Sequence, residues 1–213
     1  MQRLRIRFSR GEEVRFISHL DIMRLWQRAL HRAGMPLAYS EGFSPHPRIS
    51  LAAPLPIGVT SQAELMDVFV TKWVSPHFFT TAISQQLPPG IEILQVYPIA
   101  PTLPSLQSQV RYVEYVVEVE TEEKDIESKL TSLLSVKHLP WQHQRDTGPR
   151  SYDLRALIDD LWFINCHHPY CAIGMRLRCD SSGSGRPEQV TAAVGFTPYP
   201  QSMHRTKLIL KTS

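Results

Sequence analysis

The chain has 213 residues, 42 % of them hydrophobic, with 17 Pro, three Cys and a net charge of +3. That apolar fraction excludes a disordered chain, and the length suits two small domains. No apolar run reaches the roughly 18 residues of a membrane helix. MQRLRIRFSRG alternates charged and apolar residues, so it is not a secretory signal. The expected location is therefore cytoplasmic, with no membrane partner. Three Cys, an odd number, suit a reducing compartment and provide no disulfide framework.

Charge is laid out unevenly. Residues 1–60 carry nine basic against four acidic side chains, residues 61–122 two against seven, and residues 123–213 twelve against nine. A basic first part facing an acidic middle points to an anionic partner for the first part, or to ordinary scatter over a surface.

Arg3 to Phe8 alternates, with Leu4, Ile6 and Phe8 on one face and Arg3, Arg5 and Arg7 on the other, as in a half-buried strand. Ser18-His19-Leu20-Asp21 fits an S-x-x-D helix start, and Gly34 fits a helix stop after Ala33. Within that helix Ile22, Trp26, Leu30 and Ala33 share one face, and Arg24, Arg28 and Arg32 share another. Strands are expected at Arg48–Ala53, Leu65–Thr71 and Ile91–Val96. A second helix is expected over Ser75–Leu87, capped by Ser75 with Pro76 at its first position. The order βαββαβ is the ferredoxin-like pattern. Residues 98–109, rich in Pro and Ser, read as a linker.

The pattern then restarts. Strands are expected at Val110–Glu120, Tyr170–Arg178 and Thr206–Lys211, with a strand or short helix around Asp153–Leu161. Helices are expected at Lys124–Leu134 and Arg186–Val194. The resulting expectation is an α+β protein of two tandem ferredoxin-like domains, 1–97 and 110–213, joined by 98–109.

Between the first helix and the next strand lies YSEGFSPHPRIS, Tyr39 to Ser50. Pro45 and Pro47 lock two dihedrals and bias Ser44 and His46 toward extended geometry, while Gly42 permits a conformation other residues resist. Tyr39, Ser40, Gly42, Phe43, His46 and Arg48 are candidate RNA-binding residues: an aromatic ring stacks on a base while His and Arg reach a base edge and a phosphate. The bland alternative is that Phe43 plugs the core and His46 caps a turn. Arg15, Arg24, Arg28 and Arg32 join the candidate surface. The last three rise about 6 Å per step, close to the phosphate separation along an extended strand. A solvated helix face is the alternative, although no Glu at spacing four neutralises it.

CHHPYC, Cys166 to Cys171, offers Cys166, His168 and Cys171 as soft-metal ligands, or a plain hairpin turn. His19 and His46 are candidates for a metal-independent endoribonuclease, with a His as general base against the 2′-hydroxyl. The competing role for His19 is helix entry. No G-x-x-x-x-G-K, H-E-x-x-H or G-x-S-x-G occurs.

RFISHLD, RALHRAG, PLAYSEGFSPHPRIS and PLPIGV together resemble the N-terminal signature of the radical-SAM-linked protein family, also known as the DUF2344-type domain. The likeness is close over residues 1–72, and SYDLRALI and GRPEQVTAAVG resemble later segments more loosely. The resemblance implies a protein encoded beside, or fused to, a radical SAM enzyme that often carries a cobalamin-binding region, in a setting of ribosome and RNA maturation. The chain itself has no C-x3-C-x2-C, so it is not expected to generate the radical. The expected role is a non-catalytic accessory protein that recognises substrate, binds RNA or a ribonucleoprotein rather than DNA, and needs no cofactor of its own. The alternatives are the endoribonuclease and a pure protein-interaction adaptor.

Overall fold

The computed structural model describes residues 1–145, 148–196 and 199–211. The chain divides into two units, Met1–Val110 with the chain's end from Lys211, and Arg111–Leu210. Both mix helices with antiparallel strands, so the α+β class holds. Among the described residues no helix is long and apolar enough to cross a membrane.

The first unit contains β1 (Gln2–Arg10), a 3-10 turn at Glu12–Val14, α1 (His19–Arg32), β2 (Ile49–Leu51) and β3 (Thr60–Val70). It continues with α2 (Pro76–Ser84), β4 (Ile91–Ile99) and α3 (Leu106–Gln109). Its strands lie in the order β4-β1-β3-β2, each neighbour antiparallel. Leu4, Ile6 and Phe8 of β1 and Met66, Val68 and Val70 of β3 pack against Ile22, Trp26 and Leu30 of α1 and Phe79 and Ile83 of α2. Phe8 meets Trp26 edge to face, ring centroids 4.9 Å apart. The local signals act as read. Ser18 accepts from the Asp21 N–H at 3.2 Å, and Ser75 accepts from the Phe78 N–H at 3.1 Å. Gly34, at φ +64°, closes α1 in a conformation that costs glycine little.

The second face of this sheet departs from expectation. Arg3 and Arg5 alternate with the core residues, yet they are only 2 % and 4 % exposed. Asp67, fully buried and directly opposite Arg5, accepts from both: 2.6 Å from one Arg3 nitrogen and 2.8 Å from Arg5 Nε. The cover comes from the expected linker. Arg3 also donates to the carbonyls of Leu103 and Pro104, and Leu106 of α3 is fully buried. Residues 98–109 thus include the end of β4, a turn and α3, folded over charged side chains that water would otherwise hold. Arg10 is buried as well, donating to the carbonyls of Val14 and Ile17. Three of the nine Arg in the basic segment are therefore structural, and the surface charge is carried by the rest.

The second unit contains β5 (Val110–Glu120), α4 (Ile126–Ser135), β6 (Pro140–Arg145), β7 (Gly148–Asp153) and β8 (Ile158–His167), the last preceded by a 3-10 turn at Arg155–Leu157. It continues with β9 (Tyr170–Asp180), β10 (Gly183–Ser184), α5 (Pro187–Val194) and β11 (Ser202–Leu210). β9 pairs with β5, β8 and the short β10, all antiparallel, and β5 leads on to β11. The hairpin β6–β7 was not legible, because its sequence lacks a period-two apolar pattern. The ambiguous segment near Asp153–Leu161 resolves into the 3-10 turn and the start of β8.

Gly174 lies opposite Trp162 in the β8–β9 ladder, and a Cβ there would stand 2.0 Å from the indole. Gly174→Ala is expected to destabilise the protein by about 1–3 kcal/mol, the usual cost of overpacking. Thermal unfolding should show it as a lowered Tm.

Candidate nucleic-acid interface

Helix α1 buries Ile22, Trp26, Ala29 and Leu30 and exposes Leu20, Asp21, Arg24, Arg28, His31 and Arg32. The exposed set recurs every three or four residues, so it forms one face along the helix. The Arg stripe read from the sequence is therefore real as a surface feature, but it is not purely cationic. Asp21, three residues before Arg24, accepts from it at 3.0 Å, and it also accepts from the Ser18 hydroxyl at 2.7 Å. The Ser18 hydroxyl and then Arg24 hold the Asp21 carboxyl below the usual carboxylate range, so at neutral pH an anion sits at the head of the stripe. Arg32 donates to the side-chain and backbone oxygens of Gln86. Arg28 is exposed, and its tie to its surroundings is the charge of Asp21 on the same face. Arg15 lies before α1, paired with Glu12 and stacked over Phe16 at 4.7 Å.

The stripe runs into the Tyr39–Arg48 loop. His31, three residues after Arg28 on the exposed face, lies 3.2 Å from the Tyr39 hydroxyl. The base of the loop is fixed by backbone. Tyr39 bridges Pro47, the Ser40 N–H donates to the His46 carbonyl at 2.9 Å, and the His46 N–H donates to Ser40 Oγ at 3.0 Å. The Arg48 N–H donates to the Ala38 carbonyl at 2.8 Å, and the Arg48 guanidinium lies 4.2 Å over the ring of Phe69. Gly42 takes φ +120°, which a side chain resists. Phe43 is wholly exposed, at 109 % relative accessibility. The core-plug alternative for Phe43 is therefore overturned: the ring stands at the tip of a closed loop. The backbone of His46, rather than its exposed imidazole, closes the turn.

The structure places Arg24, Arg28 and Arg32 on one exposed face of α1, and that face is linked to the Tyr39–Arg48 loop through the contact of His31 with Tyr39. His19 begins α1, twelve residues and about 18 Å along the axis from His31, the residue that meets the loop. His31 and Phe69 were missed. The i+3 spacing of His31 from Arg28 was a usable signal, whereas the stacking of Arg48 on Phe69 depends on strand pairing.

CHHPYC forms the end of β8, a turn and the start of β9, and Cys166 and Cys171 face each other across the ladder. They are joined as a disulfide, where the odd cysteine count had pointed to no disulfide framework. His168 instead lies 3.4 Å from Glu122. Among the described residues no cluster of three or more His, Cys, Asp or Glu is placed to hold a metal ion. Cys179 is buried, and its Sγ accepts from the Ser184 hydroxyl at 3.7 Å.

A family model described as "Uncharacterized protein conserved in bacteria (DUF2344)" matches residues 3–187. The chain belongs to the DUF2344 family. The DUF2344 match spans the stripe, the loop and most of the second unit. No curated protein matches the chain. Among solved structures, a Cbf5-Nop10-Gar1 complex is similar at 9 % identity and TM-score 0.49, covering 96 % of this chain and 48 % of that one. An H/ACA ribonucleoprotein bound to a substrate RNA containing 2′-deoxyuridine is similar at 10 % identity and TM-score 0.49, covering 96 % and 47 %. An archaeal box H/ACA Nop10-Cbf5 complex is similar at 9 % identity and TM-score 0.48, covering 97 % and 48 %. The DUF2344 chain spans about half the length of these matched chains.

Proposed function

We propose that this DUF2344 protein is a non-catalytic recognition protein that binds RNA, alone or within a ribonucleoprotein, through the exposed face of α1 and the Tyr39–Arg48 loop. The observation that carries the reading is the continuity of the surface. Arg24 and Arg28 lead to His31, His31 to Tyr39, and Tyr39 to a backbone-closed loop that holds an aromatic ring in solvent. Phosphate contacts from Arg supply affinity, and a ring stacks on a base. We further propose that it works beside a separate radical SAM enzyme. Support for that partner is the resemblance of RFISHLD and PLAYSEGFSPHPRIS to the radical-SAM-linked family, together with the missing C-x3-C-x2-C. The element orders and strand neighbours of the two units support reading them as tandem ferredoxin-like domains. No observation favours the nuclease reading.

The anion at the head of the stripe gives a test with a sign. Asp21→Asn removes the charge that competes for Arg24 while keeping an acceptor for the Ser18 hydroxyl. RNA retention at low salt is expected to strengthen, by up to about fivefold, the range of an exposed ion pair. A filter-binding titration measures it. Weakened retention would count against Arg24 as a phosphate contact.

A further inference from the structure

We infer that the site takes unpaired RNA rather than a duplex, and that it holds about four nucleotides; the inference rests on the RNA-binding reading above. The ring of Phe43 has no protein surface over it. The Ser40–His46 bonds, the Tyr39–Pro47 bridge and the stacking of Arg48 on Phe69 fix the base of the loop that presents it. A ring held out in this way needs the face of a base. In an A-form duplex those faces are stacked on their neighbours, and the major groove is too narrow for side chains to read. A splayed base on a single strand offers its face freely.

The length follows from the helix. Arg24, Arg28 and Arg32 are spaced four residues apart and so rise about 6 Å per step. Each step matches one phosphate spacing of an extended strand, giving three phosphates along the stripe, the last met by the Arg32 terminal nitrogen that does not donate to Gln86. The contact between His31 and Tyr39 puts the start of the loop beside the last turn of α1, and the loop that leaves it carries Phe43 as the place for the next base. Three backbone contacts and one stacked base make about four nucleotides, the lower end of single-strand site sizes. Phe43, at 109 % relative accessibility against 45 % for Tyr39, is the more open of the two rings for stacking.

The test uses the full chain and labelled RNA of one composition, as single strands shorter and longer than about four nucleotides and as a blunt duplex. Binding is read by fluorescence anisotropy at low salt. Affinity is expected to rise with length up to about four nucleotides and then level off, with the duplex at least about tenfold weaker. Phe43→Ala is expected to cost roughly 5- to 150-fold on single strands and to leave duplex binding unchanged, while Phe43→Trp retains the preference. Equal binding of single strand and duplex, unchanged by Phe43→Ala, would overturn the inference and leave the RNA reading standing. No binding of any RNA at low salt would overturn both.

Discussion

Replacing Arg24 and Arg28 together by Glu is expected to abolish RNA retention at low ionic strength. Both side chains are exposed on α1, away from its buried face, so the fold has no stake in them beyond the ion pair of Arg24 with Asp21. The double change moves the local charge by four units at the centre of the stripe. Association with a polyanion depends on that field and on counterion release, so the loss should be on the order of 100-fold or more. In the unmodified protein, retention should fall steeply with added salt. The single change Arg28→Ala should shallow that slope by about one phosphate's share. Circular dichroism and the unfolding midpoint should be those of the parent. Unchanged retention in a folded double variant would remove this face from any account of RNA binding.

Asp67→Ala is expected to be the most damaging single change to the fold. It leaves two guanidinium groups, on Arg3 and Arg5, without the carboxylate they share in a site closed to water. Removing one partner of a buried pair typically costs about 3–5 kcal/mol, because the remaining charge is buried and uncompensated. A lower midpoint in urea unfolding would show it. The triple variant Asp67→Leu, Arg3→Met, Arg5→Met should recover most of the loss, since an apolar set of similar volume carries no desolvation debt. Recovery would establish that the damage in Asp67→Ala comes from stranded charge rather than from a cavity.

The same two arginines show where the sequence was legible and where it was not. Caps and stops are local, so Ser18, Gly34 and Ser75 were readable from a few neighbours. The alternation of Leu4, Ile6 and Phe8 fixed their common face for the same reason. Nothing within β1 distinguishes Arg3 and Arg5 from exposed Arg7. Their burial depends on residues 103–109, about a hundred positions away, folding over them. At the candidate site, Gly42, Pro45 and Pro47 announced a stiff loop, and the stripe was visible by spacing. Whether Phe43 pointed inward or outward was a tertiary question. The pairing of Arg24 with Asp21 lies at spacing three, outside the spacing-four rhythm of the Arg stripe.

The ring of Phe69 lies 4.2 Å from the guanidinium of Arg48 and 5.2 Å from that of Arg3. The loop's footing is therefore borrowed from β3, whereas at its tip a side chain at Gly42 would touch nothing within 4 Å. Footing and tip are mechanically separate. Around Gly42, which its φ of +120° holds as glycine, residues 41 and 43–45 can change character without disturbing packing, while a change at Phe69 would unsettle the loop and the buried charges at once. Such a division leaves room for one scaffold to acquire new preferences by altering a few positions. It also makes the tip a practical place to graft a label or a different aromatic group.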